Sequence, residues 1–145
     1  MSLHGDYDSQ NIFAKIIRGE VPCYTLYEDD DVLAFLDVFP QSYGHTLVIP
    51  KQAAARTILD IDAASLSKVM AVVQKLAGVL VAELAPAGVQ VMQFNGAPAG
   101  QTVFHIHMHI VPRYEGDALN THGAGQAEPQ QLEALQARLL KRIAS

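Results

Sequence analysis

Cysteine is nearly absent: Cys23 is the one thiol in 145 residues. A single thiol forms no intrachain disulfide and excludes any metal site that needs two or four thiolates from one chain, so a reducing, cytoplasmic setting is expected. Basic residues are scarce as well. Ten Lys and Arg stand against fifteen Asp and Glu, a formal net charge of −5, which argues against a general basic surface and against nucleic acid as a partner. Charge as a whole is thin at 17%, yet half of the residues are hydrophobic, so the chain can bury a core and is not compositionally disordered. No run approaches the roughly 20 apolar residues of a bilayer span, and the apolar stretch at 76–82 is closed off by Lys75 and Glu83, so no membrane partner is expected. The polar residues 1–10, with Asp6 and Asp8, lack the apolar centre of a signal peptide and read as a flexible N-terminus.

The length suits one domain of about 100 to 150 residues. Ile12, Phe13, Ile16 and Ile17 recur at helical spacing before Gly19 and Pro22, which predicts a short helix. The β-branched and aromatic runs 24–28 and 32–38 flank Asp29, Asp30 and Asp31 and read as a hairpin; 45–49, ended by Pro50, reads as a third strand. From Asp62 to Leu84 the apolar positions Leu66, Val69, Met70, Val73, Leu76, Ala77, Leu80 and Leu84 keep the helical rhythm, with Asp60 or Asp62 as the cap and Pro86 and Gly88 as the stop. Residues 89–94 and 103–111 complete five strands. The chain loosens over 114–128, and Leu132, Leu135, Leu139 and Leu140 predict a C-terminal helix after Pro129 that docks on the body or on a partner chain. The domain is thus expected over 11–113 and a tail over 114–145. Strands in sequence joined mostly by short turns imply an α+β fold with a mainly antiparallel sheet.

The chemistry concentrates in one strand. Residues 103–111 alternate strictly, so His105, His107 and His109 are expected on one face, with Phe104, Ile106, Met108 and Ile110 packing the core from the other. Same-face neighbours stand roughly 7 Å apart, which makes a row of imidazoles along a cleft. A lone histidine is more often a satisfied core or surface residue than a catalyst; three in alternation against an apolar face reverse that. Two chemistries want such a row. Neutral imidazoles bind zinc, although the strand offers no carboxylate before Glu115. Alternatively, a neutral imidazole nitrogen attacks phosphorus without first losing a proton, while its neighbours supply hydrogen bonds and protons. Phosphate chemistry also needs oxyanion donors, and the Gly-rich turn from Asn95 to Thr102 lies directly ahead of the histidines. Thr102 has the wrong parity to share the face of His107 and serves the site only if the chain bends there.

These residues carry a resemblance. His105-Ile106-His107-Met108-His109-Ile110-Val111, the lead-in Gly100-Gln101-Thr102-Val103, the helix from Ile12 to Ile17, Leu33-Ala34-Phe35-Leu36-Asp37 and Gly44-His45-Thr46-Leu47-Val48-Ile49-Pro50-Lys51 resemble the histidine triad (HIT) family of nucleotidyl hydrolases and transferases, in its purine-nucleoside phosphoramidase branch and bacterial relatives. The resemblance implies a HIT fold, a five-stranded antiparallel sheet with one long and one short helix, assembled as a homodimer. It implies a purine nucleotide as substrate, attacked at the α-phosphate by His107, with His109 on the phosphate and His105 and His45 in support. Asn95, Gly100, Gln101, Thr102 and Val103 match the phosphate side, Asp37 the acid that takes the ribose hydroxyls, and Phe13, Ile16, Phe35, Leu36 and Val38 the base and sugar pocket. Many bacterial relatives place cysteines where this chain has Asn11 and Ala14, and use them with histidines to hold a structural zinc. No metal and no cofactor are therefore expected. The alternative reading is a nucleotide-binding regulatory protein with incidental turnover.

Overall fold

The computed structural model describes residues 3–117 and 125–145; residues 1 and 2 of the expected flexible N-terminus and residues 118–124 of the expected tail lie outside the described residues. The order is α1 (Ile12–Ile17), β1 (Thr25–Glu28), β2 (Val32–Leu36), β3 (Thr46–Pro50), α2 (Ala63–Leu84), β4 (Gly88–Met92), β5 (Met108–Arg113) and α3 (Pro129–Ala144). All strand pairs are antiparallel, in the spatial order β1-β2-β3-β5-β4. The first three strands form the expected meander. At the first turn the Asp29 carboxylate accepts the backbone N–H groups of Asp31 and Val32 at 2.7 and 2.8 Å, which fixes the hairpin.

Alternation along the strands explains the two cores. Val32, Ala34 and Leu36 of β2, Val48 of β3 and Met108 and Ile110 of β5 meet α2 and α3 on one face of the sheet. Leu33 and Phe35 of β2 and Leu47 and Ile49 of β3 meet Phe13 of α1 on the other. The start of α2 is built as expected, whereas its left-handed stop falls on Ala85, and Gly88 opens β4 instead. The Asp62 side chain caps it by accepting the Ser65 N–H at 2.9 Å, and Ala85 at φ 49° takes the left-handed turn that ends it. Of the predicted apolar stripe Met70 is 38% exposed, while of the apolar residues outside it Val72 belongs to the core and Val81, at 46%, faces solvent. By length and composition alone α2, with a mean hydropathy of 1.5, could cross a bilayer. One face of it packs into the larger core, through Val69, Val73, Leu76 and Leu80. The C-terminal helix α3 docks on its own body: Leu132, Leu135 and Leu139 are buried against that core, Leu140 is 40% exposed, and Arg138 and Arg142 both pair with Glu83.

One strand departs from expectation. β5 begins at Met108 rather than at residue 103, so His105 and His107 precede it and the strict two-sided alternation does not extend to them. The reason lies in the neighbour. β3 pairs with β5 only as far as Val48 opposite Met108, and beyond it Pro50 has no N–H to continue a ladder. The Pro50 carbonyl instead accepts the Nε2–H of His105 at 2.9 Å, while the Ile106 N–H bonds the Ala55 carbonyl at 2.9 Å. Phe104 consequently leaves the core and lies half-buried beneath the Arg56 guanidinium, 4.7 Å from its ring centre. β2 likewise ends at Leu36, so Asp37 and Val38 belong to the connection rather than to the strand.

Candidate functional site

On the α1 face the sheet does not close. A cavity of about 950 Å³ opens there, and cross-strand register builds its floor. Phe35 stands opposite Leu47, Leu47 opposite His109 and His109 opposite Met92, giving one row across four strands, all of it lining the cavity. α1 supplies one wall with Ile12, Phe13 and Ile16, the β2–β3 connection another with Asp37, Phe39 and Gln41, and the turn before the histidines a third with Gly100, Thr102 and Val103. The bend over 101–107 is what allows Thr102 and His107 to face the same space. Gly100, at φ +106, lies against the Phe94 ring.

The histidines are held by groups that leave no freedom over where each proton sits. His107 Nδ1 faces the His105 carbonyl at 2.7 Å, so it must carry the hydrogen, and Nε2 keeps its lone pair. His45 Nδ1 receives the Gln41 backbone N–H at 2.9 Å, so its hydrogen is on Nε2 and is donated to His109 Nδ1 at 3.0 Å. His109 in turn carries its hydrogen on Nε2, which has no protein partner among the described residues and is left for the cavity. His105 donates Nε2–H to Pro50, so its Nδ1 accepts the Tyr7 hydroxyl at 2.6 Å. The rings of His107 and His109 lie 4.9 Å apart, closer than residues two apart on a flat strand, and Phe13 meets the His107 ring edge-on at 4.9 Å.

Burial keeps these groups neutral. It lowers the pKa of His45 and His107 to about 4 and that of His109 to about 3, and it lowers that of His105 as well. The same desolvation raises Asp37 to about 6, against the opposing hydrogen bond from the Phe39 N–H. Asp37 and His45 approach to 3.5 Å, but a neutral imidazole makes this no ion pair, and the shorter contact to His109 takes the His45 proton. One ligand atom from each of Asp37, His45 and His109 lies within 4.8 Å of the others, close enough to share an ion. Holding one would require His45 to give up its Nε2 proton and surrender the bond from Gln41. Asn11 caps α1 through Ala14 N–H at 2.9 Å and Ala14 is buried, so neither position offers a ligand.

Of the residues singled out from sequence, Phe13, Ile16, Phe35, Leu36, Asp37, Val38, His45, Gly100, Thr102, Val103, His107 and His109 line the cavity. Three lie outside its lining. His105 braces the chain below His107. Asn95 ties two loops by accepting the Ile58 N–H at 2.8 Å and exchanging bonds with Gln93. Gln101, 2% exposed, spans the turn from Gly96 N–H to the Arg56 and Val103 carbonyls. Sequence reasoning passed over Tyr7, Phe39, Gln41, Met92 and Phe94. Met92 alone carried a usable signal, as the strand residue whose register meets a histidine.

Comparison with known proteins agrees with this arrangement. Residues 18–116 match the HIT domain. The chain is 40% identical over 139 residues to Protein hit of Bacillus subtilis, covering 92% of this chain and 94% of that one. It is 40% identical over 102 residues to the adenosine 5'-monophosphoramidase hnt1 of Schizosaccharomyces pombe, covering 70% and 73%. A solved structure of a Hit-like protein from Bartonella henselae superposes with a TM-score of 0.87 at 44% identity, covering 94% of this chain and 99% of that one. The backbone that seats the three histidines is therefore a shared one, and this chain belongs to the HIT family.

Proposed function

We propose that the protein is a nucleotide hydrolase that cleaves purine nucleotide conjugates at the α-phosphorus through a covalent nucleotidyl-histidine. One observation carries the reading: the His107 Nδ1–H is fixed on the His105 carbonyl, which leaves a neutral Nε2 lone pair facing a cavity large enough for a nucleotide. In the first step Nε2 bonds to phosphorus as the bond to the leaving group breaks. The leaving group departs with that electron pair and takes its proton from solvent water, while the neutral His109 keeps its Nε2 proton. The imidazolium formed on His107 keeps its Nδ1–H on the carbonyl. Water then attacks phosphorus and releases a proton to solvent, which balances the one taken up by the leaving group; the P–N bond breaks with its electron pair returning to Nε2, and the nucleoside monophosphate leaves with His107 restored. His109 Nε2–H is the donor toward the phosphate oxygens, and Asp37 is the acceptor for ribose hydroxyls.

Charge narrows the substrate. Among the described residues that line the cavity there is no Lys or Arg, and Asp37 is the one carboxylate. Walls of this kind suit a single phosphate charge with a neutral or apolar leaving group, as in a phosphoramidate or an acyl adenylate, better than a dinucleoside polyphosphate. The name of the Schizosaccharomyces pombe relative agrees with a phosphoramidate.

Rapid acid quench of the protein turning over a labelled adenosine phosphoramidate should trap nucleotide on the peptide that contains His107. His107→Ala should lose at least about a thousandfold in kcat while still binding AMP. Near-normal turnover by that variant would end the proposal. We also propose a homodimer, on the open ladder of the edge strand β4 and its exposed Val91; light scattering that reports a single-chain mass at micromolar concentration would exclude it.

A further inference from the structure

Arg113, the last residue of β5, is 7% exposed, yet among the described residues no carboxylate lies within ion-pair distance of it. A buried charge without a counter-charge is costly and calls for a reason. Register makes room for the side chain, since Arg113 stands opposite Gly88. Its partners are both amide oxygens: Nε donates to Gln90 Oε1 at 2.7 Å and Nη2 to Gln41 Oε1 at 3.2 Å. The second contact matters most, because Gln41 is the residue whose backbone N–H sets the proton on His45 and, through it, on His109. Arg113 therefore stands at the head of a chain that runs through Gln41, His45 and His109 and ends on a donor in the cavity. Its positive charge is also felt at His45, where it opposes protonation.

We infer that Arg113 is a positioning residue for the phosphate end of the cavity: by gripping the Gln41 side chain it holds the donor chain that ends at His109 Nε2, and it places a positive charge behind walls whose described residues carry none. The inference rests on the reading that this cavity takes a nucleotide phosphate. No atom of Arg113 lines the cavity, so its influence passes through Gln41 and His45 and through the field of its charge.

Two readouts separate this from a merely structural arginine. Nitrogen-15 spectra of labelled histidine report which ring nitrogen carries the proton, and calorimetry reports AMP binding. Wild-type protein should hold both His45 and His109 as pure Nε2–H forms. Arg113→Met should mix those forms and weaken AMP binding by about tenfold, the size usual when a partner once removed from the site is lost. Arg113→Lys should keep AMP affinity within about twofold, because the charge remains although the planar fork is lost. If Arg113→Met fails to fold, Gln41→Leu leaves the charge in place and cuts its grip, and this variant should mix the tautomers too. Folded Arg113→Met with wild-type AMP affinity and pure Nε2–H forms would overturn the inference, as would pure forms in Gln41→Leu. Wild-type protein that bound no AMP would defeat the nucleotide reading instead, and the tautomer measurement would still decide the positioning role.

Discussion

The two faces of the sheet use the same strands for opposite ends. Against α2 and α3 the sheet buries Leu76, Leu80, Leu135 and Leu139, each 2% exposed or less, in a core built from aliphatic side chains. Against α1 it buries a smaller apolar cluster that gives way to four imidazoles and a carboxylate. On the first face burial stabilises the fold in proportion to apolar area. On the second it works against every group involved, lowering the histidines and raising Asp37. One side of a single sheet thus holds the molecule together, while the other spends part of that stability on keeping groups neutral and pointed.

If the faces are separable in this sense, Leu76→Ala should cost about 2 to 5 kcal/mol in urea unfolding while the folded fraction keeps wild-type kcat/KM. A kcat that fell in step with stability would join the two faces into one. Asp37→Asn should do the reverse. Nucleotide affinity should drop by about 1.5 to 3 kcal/mol through loss of a charged acceptor, whereas the melting temperature at neutral pH should hold or rise, because a carboxylate that burial disfavours has been removed. Calorimetric titration with AMP and thermal melts check both halves, and unchanged affinity would take Asp37 out of the site.

The smallest effect is the dependence of stability on pH. As pH falls from about 6.5 the unfolded chain protonates its histidines first, since the folded His45 and His107 resist to about 4 and His109 to about 3, so each costs stability across that window. Asp37 opposes them. Raised to about 6 from 3.8, it takes its proton first in the folded state and returns stability between those values. His105, lowered as well, adds to these losses, and four losses against one gain leave stability declining as pH drops, at about 1.4 kcal/mol per net proton per pH unit. Urea titrations at pH 7 and 5 should record the decline, and Asp37→Asn should steepen it. A flat profile would mean that the histidines are not held neutral.

Much of this was legible in the sequence where periodicity was long and clean. α2 announced itself through its spacing and its Asp62 cap, and the hairpin through its three aspartates. The fifth strand was misread at its start because alternation from Val103 onward is blind to the partner strand; what stops the ladder is Pro50, more than fifty residues away. Similarity to the HIT family located His107, His109, His45 and Asp37. It did not disclose that Asn95 and Gln101 tie loops, because an amide side chain looks the same in a sequence whether it faces a ligand or a backbone carbonyl. Tyr7, Gln41 and Arg113 were passed over for a related reason: Tyr7 and Gln41 each reach a histidine through a single hydrogen bond, Arg113 reaches Gln41 through another, and no spacing rule encodes such contacts.

The insertion of β5 between β3 and β4 also decides when the site comes into being. His45 and His109 are 64 residues apart in sequence, and they can meet only after the whole of α2 and the β4–β5 hairpin have been made and laid back on the meander. Contacts this distant are entropically late. A chain emerging from the ribosome therefore carries its apolar strands and long helix well before His45 and His109 can meet.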